Sequence, residues 1–504
     1  MNLIKFQTNR DFKIPFSIFI IFLSGLSLRF YFFPHELPLV ADGMDYFTYA
    51  TEIVYLGNLP TEWTPINNGW PIFISFWFSI VNLENSFQYM QLDRIISIFL
   101  SALITIPVYF LCKKFFDRKI ALVGASLFAF DPRLLLNSLL GITEPLFILL
   151  GVSSLVIFLK YRQKAIFLSF VLASICTIVC SEGIFLFAIL SLLFFIKYKF
   201  STKIVKTYFP CLIIFILILL PIMDYRTEVA GYDGIFQRAT FASNQIITIA
   251  NNENNLQILD GLKLFTTYFG WILIPNFLIF LPIGFIEFLK NRNKENNFIL
   301  IFLIIYSLPL LYAYIMQAQD TRYFYFLYPI FILISLFAVK KYLSFFKSKN
   351  VILFIIISLL LISSIIFYEL KKIDTDNEKE IKEISEIISE KELSLNHHPT
   401  ISRYIYANEI PTSWPFIISD TEFKTTMIST SNFNNLEDFI SSYRTSLTAI
   451  VVDENSNLPK FLQDVYFNEN NYPYLKKSFD SNDYNFNHSI KLFYIDYQEF
   501  DSRK

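Results

Sequence analysis

DRIISIFLSALITIPVYFLCKKFFDRKIALVGASLFAFDPRLLLNSLLGITEPLFILL, residues 93–150, decides the architecture of this chain. Apolar runs begin near Arg94, Ile120 and Ile142. The first two are separated by a basic connection, KKFFDRK at 113–119; the next connection has Arg133 as its only cation. Runs of about 17–25 apolar residues predict helices that cross a bilayer. Alternation between basic and base-poor connections predicts which side each faces.

The same pattern extends over most of the chain. Further runs begin near Ile14, Ala165, Ile184, Thr207, Tyr268, Phe298, Tyr323 and Val351, giving about eleven predicted spans. Basic connections recur at the N-terminus (Lys5, Arg10, Lys13) and at 160–164, 197–206, 290–294 and 340–349. The intervening connections hold only Arg94, Arg133, Arg226, Arg238, Lys263 and Arg322. The pattern predicts a multi-pass protein of the plasma membrane with a cytoplasmic N-terminus. An odd number of crossings puts the C-terminus outside, together with Asp42, Glu144 and Arg322. The first run has no small-residue cleavage site and reads as an uncleaved anchor.

Composition agrees. The chain is 54% hydrophobic and 17% charged, against about 25% charged in an average soluble domain. A net charge of -1 and the lack of a basic arm give no support for a nucleic-acid partner. All four cysteines (Cys112, Cys176, Cys180, Cys211) fall in apolar stretches, so the C-terminal part has no disulfide framework. There is no Walker loop and no GxGxxG, so an ATP-driven pump or a nucleotide-sugar enzyme lacks its motif.

The first outer loop, about 33–91, is long. Residues 43–57 place Tyr46, Tyr49, Ala50, Ile53 and Leu56 at helical spacing, predicting an amphipathic interfacial helix. WPIFISFWFSIVN at 70–82 is apolar but too short to span, predicting an interfacial or re-entrant helix. Residues 224–266 form a second long, polar outer connection. Near Tyr368 the composition changes sharply, which predicts a membrane domain, 1–368, and an extracytoplasmic α/β domain, 369–504. There, residues 377–393 place Ile381, Ile384, Ile387 and Ile388 on one helical stripe. FIISD at 416–420, TTMIST at 425–430, LTAIVVDEN at 447–455 and IKLFYIDYQ at 490–498 read as strands. NNLEDFISSYRTS at 434–446 reads as a helix capped by Asn435.

Charges at the outer ends of the spans are the candidate functional groups, because such charges are costly at the edge of hydrocarbon. Asp42, Tyr46 and Ala50 share one helical face, with Asp45 on a neighbouring face. Asp42 is either a general base or cation ligand, or the cap of the helix that follows. Glu144, followed by Pro145, is either a second acid of the same site or an acid suited to a helix N-terminus. Arg322 is either a phosphate ligand or an interfacial arginine beside tyrosines. Arg29 and Arg94 are further cationic candidates. His35, His397, His398 and His488 make no metal-spacing motif, and His397-His398 reads as a surface loop. Asn487-His488-Ser489 is a glycosylation sequon, a pattern with a high false-positive rate.

Taken in chain order, these segments resemble the GT-C class of glycosyltransferases, in particular the dolichyl-phosphate-mannose–protein mannosyltransferase and lipid A aminoarabinose transferase group. Arg29, then Asp42 with Tyr46 and Ala50, resembles the first-loop motif. NNGWPIFISFWF with Pro71 resembles the short proline-plus-aromatic helix. Arg94, Pro132, Thr143, Glu144 and Pro145 stand at positions similar to those of the second to fourth spans. TRYFYFLYPIF, with Arg322, Tyr323 and Pro329, resembles the late Arg-Tyr-plus-Pro span. The resemblance covers about residues 1–370 and rests on the ordered set.

The resemblance implies an α-helical polytopic membrane fold of GT-C type, with an outward α/β tail. It implies inverting transfer of a hexosyl or pentosyl group from a polyprenyl-phosphate sugar to a protein, lipid or glycan acceptor. Asp42 would be the catalytic base or part of the acceptor-activating site, and Glu144 would support it or bind the acceptor. Arg322 would hold the donor phosphate, and Asp45, Tyr46, Arg94 and Tyr323 would line the substrate site. No cofactor is required, and a divalent metal stays open. Where many relatives have Asp-Glu, this chain has Asp42-Gly43, with Asp45 one turn later. The lack of a WWDYG-type motif, which SWPFIISD at 413–420 does not supply, disfavours the oligosaccharyltransferase branch. Two readings of other classes stay open: a transporter or flippase of lipid-linked sugars, and a non-catalytic membrane assembly protein.

Overall fold

The computed structural model describes residues 16–160, 163–251, 255–391, 395–396, 398, 401–402, 404–405, 407, 426–428, 430, 433–454 and 458–503. The FIISD run, the whole of SWPFIISD, His397 and the three N-terminal cations lie outside the described residues. Each of the eleven apolar runs contains helix. Among the described residues, five helices are long and apolar enough to cross a bilayer: Ser86–Phe115, Thr202–Ala230, Lys294–Ile315, Arg322–Ser344 and Lys349–Ser389. A bent pair, Arg118–Ala129 and Pro132–Ser138, meets at 50° and makes a sixth if it is one span. Pro132 has no N–H to continue the first helix, and Asp131 caps the second by accepting from the Arg133 and Leu134 N–H groups. Phe16–Tyr31, Gly69–Ile80, Ile166–Val179 and Gly183–Tyr198 are shorter apolar helices.

Three features differ from the sequence reading. The polar connection 224–266 holds two helices, Phe236–Asn251 and the start of Asn255–Leu273. The run beginning near Tyr268 stops at Leu273 before Pro275 and resumes as Phe280–Lys290. The last apolar run and the isoleucine stripe are one 41-residue helix, Lys349–Ser389, which no Gly or Pro interrupts.

The chain divides into two compact units. The first comprises residues 1–33, 60–73 and 93–368. Small residues let its helices close on one another. A Cβ at Gly284 would lie 2.3 Å from the Ile334 carbonyl oxygen, and one at Gly151 would meet the Phe326 ring. Ser154 and Ser169 exchange hydroxyl-to-carbonyl hydrogen bonds of 2.8 Å between neighbouring helices, satisfying polar groups in an apolar interior.

The second unit comprises residues 34–59, 74–92 and 369–504. Its three-stranded antiparallel sheet runs in the order Ala449–Asp453, Ile490–Ile495, Leu475–Asp480. Period-two alternation sends Ile450 and Val452 to one side, against Phe439, Leu462 and Val465. Ala449 and Val451 go to the other, with Leu492, Phe479 and the stripe residues Ile381, Ile384 and Ile388. Asn435 caps helix Leu436–Ser442 by accepting from the Asp438 N–H at 2.7 Å. Strand Leu475–Asp480 escaped the sequence reading because Lys476 and Lys477 break its alternation. It lies at the sheet edge with an irregular register between Lys477 and Phe479, a place where lysines guard against strand addition. Residues 34–59 join this unit through a Glu36–Lys379 ion pair of 2.8 Å and through Val40.

Gly284→Ala is expected to destabilise the protein by about 1–3 kcal/mol through overpacking, read as a lower melting temperature in detergent. Gly270→Ala is the control, since its Cβ would meet nothing within 4 Å. Equal melting of the two variants would show that the Gly284 contact does not govern helix packing.

Candidate functional site

In the second unit, Asp42 is the first residue of helix Asp42–Leu56. The helix cap is Ala41, at φ 51° and ψ -133°, with no side-chain cap hydrogen bond. Asp42 is thus the first helical residue rather than the cap, and an acid in that turn suits the helix N-terminus. An Ala at positive φ stores about 1–3 kcal/mol of strain immediately before this carboxylate. Apart from Asp45, every residue from Gly43 to Glu52 is buried, Tyr46 among them. The helix is thus enclosed along most of its length rather than carrying one apolar face. Phe47 packs edge-on to Phe78, and Phe78 to Tyr89, within the same unit. Asp45 keeps an accessible edge. The protein around it, and secondly the Asp42 charge, push its carboxyl above the usual range. Among the described residues, no three His, Cys, Asp or Glu side chains are grouped to hold a metal ion. Asp42 and Asp45 alone make an incomplete donor set for a divalent cation.

In the first unit, Glu144 opens helix Glu144–Lys160. The turn before it is gripped from two sides. Arg94 Nε donates to the Leu139 carbonyl at 2.9 Å, and Trp70 Nε1 to the Gly141 carbonyl at 3.0 Å. Gly141 takes φ 68°, which suits glycine. Arg94 is buried and adjoins the buried Asp93. Its visible task is to fix the turn that delivers Glu144. Arg29 is fully buried and donates to the Gly25 and Ala129 carbonyls and to Ser101 Oγ, which makes it a cross-link inside the bundle.

Arg322 begins a 3-10 turn, Arg322–Leu327, that leads into helix Tyr328–Ser344. Asp320 accepts the Arg322 backbone N–H at 2.8 Å, and its other oxygen lies 3.1 Å from Arg322 Nε. The Tyr314 hydroxyl holds the Asp320 carbonyl at 2.7 Å. The guanidinium also lies over the Tyr323 ring, at 5.9 Å. The elements carrying Glu144 and Arg322 are adjacent, because the Phe147 and Phe326 rings sit 4.4 Å apart.

A residue absent from the sequence candidates joins this neighbourhood. Glu182 accepts from the Cys180 thiol at 2.6 Å and from Ser181 Oγ at 3.3 Å. Cys180 lies within electrostatic reach of both Glu182 and Glu144. Tyr323 lies within reach of Arg322, Asp320 and Glu182. Two acids and one arginine thus share one end of this unit. The signal was present: Glu182 stands between two apolar runs in a connection with no Lys or Arg.

Two weak motifs have structural explanations. His398 is buried rather than on a surface loop. Its Nε2 lies 3.0 Å from Asp453, and its Nδ1 accepts the Ile401 N–H. In the sequon, the Asn487 amide and the His488 backbone N–H both donate to Glu380.

In fold the chain is similar to solved structures of membrane glycosyltransferases of the GT-C type. The solved structures it resembles include the Archaeoglobus fulgidus oligosaccharyltransferase complexed with Zn and sulfate, with a TM-score of 0.54 at 14% identity, covering 87% of this chain and 68% of that one. The same enzyme tethered to an acceptor peptide containing the NVT sequon gives 0.52 at 14%, covering 87% and 68%. ArnT from Cupriavidus metallidurans bound to undecaprenyl phosphate gives 0.51 at 10%, covering 94% and 96%. At these identities the likeness is one of fold. No family model matches the sequence, and no curated protein matches it.

The raised Asp45 pKa gives a pH prediction. The folded state holds this proton to higher pH than the unfolded chain does, so folding loses stability as pH rises above the ordinary value of 3.8. Asp45→Asn should match the parent well below pH 4 and exceed it at neutral pH, measured by thermal unfolding across pH. A pH-independent difference would remove the assignment.

Proposed function

We propose that this chain is a membrane glycosyltransferase, moving one sugar from a polyprenyl-phosphate donor to a protein, lipid or glycan acceptor on the outer face of the membrane. The observation that carries this reading is the gathering of Glu144, Glu182 and Arg322 at one end of a GT-C-type bundle. ArnT, whose fold is similar, was solved with undecaprenyl phosphate.

In the proposed reaction an acceptor hydroxyl or amine attacks the anomeric carbon, and its proton passes to Asp42. The bond from that carbon to the phosphate oxygen breaks on the opposite face, which inverts the configuration. Polyprenyl phosphate leaves with the electron pair, and Arg322 offsets the charge on its oxygens. Tyr323 flanks the guanidinium. Asp45 and Tyr46 support the first-loop carboxylate. Arg94 acts as a positioning residue for Glu144. Lipid phosphate is already a good leaving group, so a divalent metal is not obligatory for these steps.

Two of the buried charges fit a transporter less well. Arg29 is bonded to two carbonyls and a hydroxyl, and Asp131 to two backbone N–H groups. These are fixed cross-links rather than groups left to bind a moving ion.

The test is transfer from polyprenyl-phosphate sugar by the purified protein. Asp42→Asn should lower kcat about 10²–10⁴-fold, the size of a lost general base, with donor KM nearly unchanged. Arg322→Ala should chiefly raise donor KM. Glu144→Gln and Glu182→Gln give the same readout for the two acids of the first unit. Full activity of Asp42→Asn would exclude it as the base.

A further inference from the structure

We propose that a pocket beside Arg226 and Arg238 is a saccharide subsite, taking one neutral sugar ring of a glycan acceptor; this rests on the glycosyltransferase reading. The cavity measures about 350 Å³, within the range of about 300–1,000 Å³ typical of small-ligand sites. Its walls include Ile66, Tyr232, Gly234 and Phe241, with Gln237 and Arg238 as polar groups.

The pocket is built rather than incidental. Arg226 is buried at the end of helix Thr202–Ala230. It donates to the carbonyls of Pro65 and Ile66, to Asn68 Oδ1 and to the Tyr232 hydroxyl. Its guanidinium also lies 5.3 Å from the Tyr232 ring centre. Gly234 takes φ 75°, and a Cβ there would come 2.0 Å from Arg226 Nε. Only glycine lets the turn fold back over this arginine. Arg238 donates to Ser181 Oγ at 3.0 Å, which ties the pocket to the turn carrying Glu182. The Gln237 amide oxygen is taken by the Asp233 N–H at 3.0 Å, leaving its NH₂ group to donate.

The chemistry favours a neutral sugar over two other occupants. A phosphate is best held by paired guanidinium donors, but the buried Arg226 group is turned to two carbonyls, Asn68 Oδ1 and the Tyr232 hydroxyl, with its Nε enclosed behind Gly234, which leaves the exposed Arg238, tied to Ser181 Oγ, as the one accessible cation among the lining residues. An isoprenoid needs a wall facing hydrocarbon, but residues 231–240, GYDGIFQRAT, lie beyond the apolar span in a polar stretch. The Phe241 ring is nonetheless 63% exposed, and Tyr232 40%. A pyranose meets such a ring with its positive C–H face, while its hydroxyl oxygens accept from amide and guanidinium donors.

The test uses the full-length protein in nanodiscs. The probes are methyl glycosides of glucose, galactose, mannose and N-acetylglucosamine, read by saturation-transfer NMR, and undecaprenyl phosphate, read by thermal shift. At least one glycoside should bind saturably and lose about tenfold in affinity in Phe241→Ala, the size expected for one aromatic contact, and similarly in Gln237→Ala. The undecaprenyl phosphate shift should be unchanged in both, which also shows that they fold. No glycoside binding, or equal binding by parent and variants, overturns the subsite. Loss of the undecaprenyl phosphate response in folded Phe241→Ala also overturns it and makes the pocket an isoprenoid groove. If glycosides fail while the parent still responds to undecaprenyl phosphate and transfers sugar, only the subsite falls. A parent that neither responds to the lipid nor transfers sugar loses the wider reading.

Discussion

A guanidinium buried among apolar helices must be answered by oxygen atoms, and that constraint organises the first unit. Arginine keeps its charge, and an isolated ion in a low-dielectric interior costs many kcal/mol. Arg29, Arg94 and Arg226 are answered largely by backbone carbonyls: Gly25 and Ala129, Leu139, and Pro65 with Ile66. Each hydrogen bond from a charged group contributes about 1.5–3 kcal/mol. Those of Arg94 and Arg226 also fix a non-helical stretch against a helix. The turn before Glu144 and the segment before Trp70 hold their positions because a cation has no other way to be satisfied.

The charges at one end of this unit are of a different kind. Glu144, Glu182 and Arg322 are only partly buried. Glu182 bonds to Cys180 and Ser181, and Arg322 pairs with Asp320, all near neighbours in sequence. The bundle therefore separates cations that hold the fold from charged groups that remain accessible. Aromatic packing supplies the frame between them: Phe326 lies against Phe147 and Tyr306, so the Arg322 turn is anchored by rings behind it.

Much of this was legible in the sequence. Hydropathy marked eleven runs that each contain helix, and composition marked the change near Tyr368, whereas the grouping of residues 34–59 and 74–92 with 369–504 carries no mark in the sequence. The Asn435 cap and two strands followed from local rules that the structure also obeys. Partners distant in sequence were not legible. Nothing near Arg94 announces Leu139, and nothing near His398 announces Asp453. Helix continuity was misread where the hydropathy changed but no Gly or Pro stood, as in Lys349–Ser389. Nothing in the sequence marks Asp320 as the partner of Arg322. Glu182 was missed although it obeys the rule that selected Glu144, because its connection is only a few residues long.

The Asp320–Arg322 pair bears on how a phosphate would be received. Their side chains are 45% and 28% exposed, and an ion pair that open to water contributes only about 0–1 kcal/mol. A guanidinium bound to phosphate through paired, charge-assisted donors is held more strongly. Exchanging Asp320 for a lipid phosphate is therefore favourable on the proposed reading, and it leaves the backbone anchor at the Arg322 N–H intact. On that reading Asp320 would keep the guanidinium oriented before the donor arrives and would give way once it has. The same arrangement makes Asp320 repel a second anion, so the turn favours one phosphate group over a polyanion.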